Sequence, residues 1–86
     1  MKNKYILEKN WVLIARVARD LKKKDVAQML DISLNTYKKY EDNPGTMTID
    51  DMIKVSNLFD TDLESVFINK ALEYRKEQAW RNSSKI

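Results

Sequence analysis

Apolar residues recur at three- and four-residue spacing in successive segments of the chain. The first segment covers residues 8–21, and the apolar residues that recur in it at this spacing are Leu13, Ile14, Val17, Ala18 and Leu21. A shorter segment follows the run of three lysines, with apolar positions at Val26, Ala27, Met29 and Leu30. This spacing is typical of amphipathic helices that bury one face. We therefore predict a first helix over residues 8–21 and a second helix of about two turns that ends at Leu30.

A tight turn and a third helix follow at once. Asp31 tolerates the left-handed backbone that such a turn needs, and Ser33 is among the best amino-terminal caps. The third helix is predicted from Leu34 to about Glu41, and it ends where Pro44 removes an amide donor. Its two sides differ in character. The inward side carries Tyr37 and Tyr40, and the outward side carries Asn35, Lys38, Lys39 and Asp42.

Two capping signals start the next helices. Thr48 can cap a fourth helix, whose predicted inward stripe consists of Ile49, Met52, Ile53, Val55, Ser56 and Phe59. Thr61 and Glu64 have the spacing of a capping box, which predicts a short fifth helix over residues 62–67, with Leu63, Val66 and Phe67 inward. Residues 69–86 have a thinner apolar stripe and can form a sixth helix. The predicted organisation is an arm (1–7), a domain (8–68) and a carboxyl-terminal helix or tail (69–86).

Composition supports an all-α fold and removes most catalytic chemistry. The 86 residues include no cysteine and no histidine, with one glycine and one proline. Disulfides, thiolate or imidazole metal sites, and cysteine or histidine-dependent nucleophiles are therefore excluded. The acidic residues lie mostly at caps and first turns, where they favour the helix dipole. We expect no enzyme, no metal and no cofactor, and the absence of a long apolar run predicts a cytoplasmic protein without a membrane partner.

Charge is unevenly distributed along the chain. Residues 1–45 hold ten Lys or Arg against six Asp or Glu, residues 46–66 hold one against five, and residues 67–86 hold five against two. A basic first half next to an acidic segment suggests one surface that attracts polyanions, although surface charge at this density can also serve only solubility.

The second and third predicted helices together form a helix-turn-helix pattern. In such a motif the second helix can lie in the DNA major groove. A cap at Ser33 leaves the amino-terminal end of the third helix free to face a phosphate, and Asn35, Lys38 and Lys39 can reach base edges or backbone oxygens. A helical hairpin with a solvated polar face would show the same pattern, so the pattern alone leaves both interpretations open.

Residues 21–43, LKKKDVAQMLDISLNTYKKYEDN, resemble without a gap the helix-turn-helix of the phage repressor/Cro-like (XRE-type) DNA-binding domains. The resemblance extends over roughly residues 8–68 and implies a five-helix, lambda-repressor-like fold. It also implies a salt bridge between Arg16 and Glu41. By position, it implies that Leu34, Asn35, Lys38 and Lys39 contact bases or the groove margin, and that Lys22, Lys23, Lys24 and Ser33 contact phosphates.

The chain departs from the family at several positions. Lys23 stands where the family commonly has glutamine, and Leu34 stands where it often has a polar residue, so one bidentate adenine contact is missing. Direct reading of bases would then rest on Asn35, suited to adenine, and Lys39, suited to guanine. Asp31 and Asn43 replace glycines of the family, and both residue types tolerate a positive φ.

The function implied is that of a sequence-specific regulator of phage repressor or Cro type, which occupies a double-stranded DNA operator. A domain of this size makes few base contacts, so a homodimer on a two-fold operator is expected. Its candidate interface residues are Phe67, Ile68, Leu72 and Trp80. The alternative is a protein-interaction module, such as an antirepressor, antitoxin or inhibitor, that keeps the fold but binds a protein partner.

Overall fold

Helical signals in the sequence lead to five α-helices in the structure. A computed structural model describes the backbone of residues 7–84 and the side chains of residues 7–79. All regular secondary structure in that part is helical, which confirms the predicted all-α class. A single turn of 3₁₀ helix, Pro44–Thr46, follows the third helix and is called the 44–46 turn below. The α-helices are α1 (Trp11–Ala18), α2 (Lys23–Leu30), α3 (Leu34–Asp42), α4 (Ile49–Leu58) and α5 (Leu63–Ser84).

Aspartates occupy the left-handed positions that follow three of the helices. Asp20, Asp31 and Asp60 have φ values of 55°, 58° and 49°, so the prediction for Asp31 is confirmed. The same prediction for Asn43 is wrong, because its φ of −148° is extended. Its side-chain oxygen instead accepts a hydrogen bond of 3.1 Å from Gly45 N. The chain passes directly into the 44–46 turn, and no left-handed cap is needed there.

The core is built from one face of each helix; the predicted face of α1 is wrong, and the predicted face of α4 is right at four of its six positions. On α1 the buried side chains are Trp11 and Val12, whereas Ile14 and Val17 are 48% and 59% exposed. The segment carries two apolar faces, and periodicity alone cannot choose the one that is buried. On α4 the predicted inward positions Met52, Val55, Ser56 and Phe59 are buried, whereas Ile49 and Ile53 are exposed. Of the remaining predicted inward positions, Met29, Leu63 and Phe67 are also exposed.

The fifth predicted helix and the possible sixth are one continuous helix. α5 runs through 22 residues and crosses the predicted boundary between residues 68 and 69. No glycine or proline follows Gly45 to stop it. Its first turn is capped by Asp62, whose Oδ2 accepts from Ser65 N at 3.1 Å. The predicted cap Thr61 instead directs its hydroxyl to Phe59 O.

Two of the predictions concern residues outside this description. They are the structure of the arm at residues 1–6 and the role of the Trp80 side chain. Within residues 7–84, no helix is both long enough and apolar enough to cross a membrane.

The inward side of α3 is buried as predicted, with Tyr37 and Tyr40 at 0% and 5% exposure. The Tyr40 hydroxyl donates to Asp51 Oδ2 at 2.5 Å and thereby connects α3 to α4. Burial, and then this bond to Asp51, raise the pKa of Tyr40. The Tyr37 hydroxyl has no hydrogen-bond partner in the described part of the chain, and burial raises its pKa.

Because only one of these two hydroxyls has a partner, replacing each tyrosine by phenylalanine should affect the free energy of unfolding differently. Tyr40→Phe removes a hydrogen bond to a carboxylate, so we expect it to lower the free energy of unfolding by about 1.5–3 kcal/mol. Tyr37→Phe removes a buried polar atom that lacks a partner, so it should leave the stability unchanged within about 0.5 kcal/mol or raise it. Urea unfolding at pH 7, followed by circular dichroism, measures both. A larger loss for Tyr37→Phe than for Tyr40→Phe would contradict the hydrogen-bond assignment.

Candidate nucleic-acid interface

The turn between α2 and α3 is closed by local hydrogen bonds. Ile32 N donates to Ala27 O at 3.0 Å, and Asp31 N donates to Gln28 O at 3.1 Å, so the left-handed Asp31 ends α2 abruptly. Ser33 Oγ then accepts from Thr36 N at 3.1 Å, which confirms Ser33 as the cap of α3. Two short helices thus meet at a turn of three residues, as the helix-turn-helix pattern predicts.

The outer face of α3 brings the four predicted base-contacting residues together. Successive helix residues are separated by about 100°, so these four residues fall within an arc of about 140°. Leu34 is 39% exposed, and the other three are exposed as well. The face therefore offers one apolar side chain, one amide and two ammonium groups to a partner; these residues are Leu34, Asn35, Lys38 and Lys39.

An ion pair anchors α3 to the rest of the domain. Arg16 Nε lies 2.5 Å from Glu41 Oε2, and both side chains are largely buried, at 12% and 5% exposure. This is the pair that the family resemblance implies. Arg16 Nη1 also donates to Leu21 O at 2.8 Å, and the hydrogen bond to Glu41 raises the pKa of Arg16. One guanidinium thus links α1, the segment before α2, and the end of α3.

The lysines at the start of α2 are exposed, but they are not equivalent. Lys23 Nζ lies 3.8 Å from Glu41 Oε1, and its side chain is 44% exposed. The sequence analysis missed this pairing, since no local spacing connects the two residues. Lys22 precedes the helix and Lys24 lies within its first turn. Positive side chains at the amino-terminal end of a helix are unfavourable for its dipole, and a bound anion would relieve that repulsion.

The three candidate interface residues whose side chains the structure describes do not share one face of α5. Ile68 and Leu72 are separated by about 40° around the helix, whereas Phe67 lies about 140° from Leu72. Phe67 and Leu72 are 40% and 44% exposed, and Ile68 is half-buried. Phe67 instead shares its flank with Leu63 and Tyr74, which are 36% and 61% exposed.

Residues 7–84 contain no cluster of three or more acidic, histidine or cysteine side chains that could hold a metal ion.

Comparison with known families gives a match to a helix-turn-helix family model over residues 12–66. Searches of curated proteins and of solved structures found no match. The matched region contains the cap at Ser33, the exposed face of α3 and the Arg16–Glu41 pair. The chain therefore belongs to the XRE-type, Cro/CI-like helix-turn-helix family of DNA-binding regulators.

Proposed function

We propose that this chain is a sequence-specific transcriptional regulator of phage repressor or Cro type, which occupies an operator with α3 in the major groove. The observation that carries the proposal is the exposed outer face of α3. Its amino-terminal end is capped by Ser33, and its carboxyl-terminal end is held by the Arg16–Glu41 pair. A rigid helix that presents mixed polar and apolar groups suits direct reading of base edges.

Each side chain on this face suits a different part of the DNA. Asn35 can form a bidentate pair with adenine, and Lys39 can donate to the O6 and N7 acceptors of guanine. Leu34, in the first turn of α3, can contact a thymine methyl group. Lys38 lies beside Leu34 on the same face and serves a base at the groove margin or a phosphate.

Phosphate contacts would come from the start of α2 and the start of α3. Lys22 and Lys24 are exposed and would neutralise phosphates by simple charge attraction. Lys23 shares its ammonium with Glu41, so a phosphate would compete with that carboxylate. Ser33 has its hydroxyl engaged with Thr36, and its contribution would be to orient the helix end toward a phosphate.

A homodimer would give this small interface useful specificity, because two half-sites one helical turn apart double the number of bases read. We propose that the two protomers associate through α5. Its exposed apolar residues lie on two flanks, one with Phe67 and the other with Ile68 and Leu72. An interface can therefore use either flank, but it cannot centre on both.

Selection of bound fragments from random duplex DNA at about 150 mM salt tests the proposal. The wild-type chain should enrich a short motif whose palindromic half-sites lie about 10 base pairs apart. Lys39→Gln should lose enrichment at the positions that Lys39 reads. Lys54→Gln is the matched control, because it removes one charge from the exposed surface of α4, outside the α2–α3 pair.

Two results would reject this proposal. One is that the wild-type chain enriches no motif, which would favour the protein-interaction alternative. The other is that Lys39→Gln and Lys54→Gln alter the selected motif equally. The number of protein chains bound per selected duplex, measured by analytical ultracentrifugation, decides between monomer and dimer.

A further inference from the structure

The end of α3 is connected to α5 by a lysine that the family alignment does not include. Lys70 Nζ donates to Gly45 O and to Met47 O, each at 2.8 Å. Both acceptors belong to the segment that leaves α3, and Lys70 lies four residues beyond the matched region, which ends at residue 66. Lys70 is only partly exposed, and its ammonium group is held by these two carbonyl groups.

Three hydrogen bonds between successive residues connect Lys70 with the last turn of α3. Gly45 O accepts from Lys70, and Gly45 N donates to the Asn43 side chain at 3.1 Å. Asn43 N in turn donates to Lys39 O at 2.8 Å. Lys39 is the residue proposed to read guanine, and the helical turn that begins with it is thus connected to α5 through the 44–46 turn.

Close packing supports the same connection without relying on charge. A Cβ atom placed on Gly45 would lie 2.9 Å from Glu73 Cβ and 3.0 Å from Glu73 Cγ. Gly45 does not have a positive φ, so the reason for glycine here is the close approach of α5. Glu73 Cβ is fixed to the helix backbone, and a side chain at position 45 would push the 44–46 turn away from α5.

We propose that Lys70 is a positioning residue for DNA binding, which clamps the carboxyl-terminal end of α3 to α5 through the 44–46 turn. Its effect on DNA rests on the proposed function, whereas the clamp itself does not. The part of α5 beyond the matched region then contributes to base reading, because it fixes the orientation of the last turn of α3, from which the Lys39 side chain projects.

The test compares Lys70→Met with Lys76→Met. Lys76 lines the same groove between the 44–46 turn and α5, and its substitution removes the same charge without removing a carbonyl contact. Amide hydrogen exchange by NMR should show Asn43, Gly45 and Thr46 exchanging about tenfold faster in Lys70→Met. Their rates should change less than about twofold in Lys76→Met. Lys70→Arg keeps the charge and the donors and should restore slow exchange.

Exchange in α1 distinguishes a local clamp from a general loss of stability. If Ala15 in α1 accelerates as much as Gly45, or if Gly45 does not accelerate at all, the clamp is refuted, whether or not the chain binds DNA. Gly45→Ala tests the clamp in a second way, because it should speed exchange of the amides around the 44–46 turn without a change of charge.

Affinity for the selected duplex then tests the positioning role. At a temperature where all variants are folded, Lys70→Met should bind about tenfold more weakly than Lys76→Met. Equal affinities, together with local loosening, would reject positioning. If the wild-type chain selects no duplex, the proposed function fails, and exchange alone still decides the clamp.

Discussion

Replacing Arg16 by methionine should lower the free energy of unfolding by about 3–5 kcal/mol. The guanidinium lies 2.5 Å from Glu41 in a largely buried setting, and its removal leaves a carboxylate that is only 5% exposed without its main partner. Lys23, at 3.8 Å and half-exposed, compensates only in part. A domain of 86 residues lies toward the lower end of the usual stability range of about 5–15 kcal/mol, so this loss would remove a large share of its stability.

A double-mutant cycle separates the ion pair from packing. Glu41→Leu removes the buried carboxylate, so the double variant with Arg16→Met should be more stable than Arg16→Met alone by about 1–3 kcal/mol. Urea unfolding followed by fluorescence of the buried Trp11 supplies the measurement. If the two single substitutions change the free energy of unfolding by amounts that simply add up in the double variant, the interaction between Arg16 and Glu41 does not stabilise the fold.

The second large effect is expected at Asn35. On the proposed interface Asn35→Ala removes a bidentate contact to one base, which is worth about 1–3 kcal/mol, or roughly 5- to 150-fold in affinity. The loss should be confined to the duplex that carries the preferred base. The measurement is fluorescence anisotropy with four duplexes: the selected duplex and three others in which one base pair is replaced by each of the alternatives.

Lys38→Gln is the control for that experiment. It lies on the same face of α3, but a lysine at the groove margin acts mainly through charge, so its loss should weaken binding to all four duplexes similarly. The dependence of affinity on salt should also become shallower by about one unit of slope. If Asn35→Ala instead weakens all four duplexes by one factor, Asn35 does not read a base.

Features that depend on a few neighbouring residues could be predicted from sequence. Ser33 and Thr48 cap their helices by accepting from amides three residues later. Asp31 adopts its left-handed backbone beside the helix that it ends. The inward tyrosines and outward polar groups of α3 follow from one unambiguous stripe. The two caps and the turn are stabilised by contacts within one helical turn, and on α3 the local pattern offers only one apolar side to bury.

Features that require a choice between equivalent local patterns could not be predicted. α1 has two apolar faces, and the position of its neighbours decided that Trp11 is buried and Val17 is not. The continuity of α5 is another case, because a weak apolar stripe cannot show that packing against the 44–46 turn supports a long helix. The separation of Phe67 and Leu72 on two flanks of α5 is a third case, because it depends on a helical register that continues across residue 68.

The sequence by itself determined the helical class, the tight turn after α2 and the set of side chains that α3 presents. It also indicated the Arg16–Glu41 pair, though only through the family resemblance. Tertiary structure alone decided that Lys23 shares Glu41 with Arg16 and that Lys70 holds carbonyl groups 25 and 23 residues away. Local contacts fix the caps and the turn after α2, and a single apolar stripe fixes the outward side chains of α3, but the packing of whole helices determines which distant groups come within hydrogen-bonding distance.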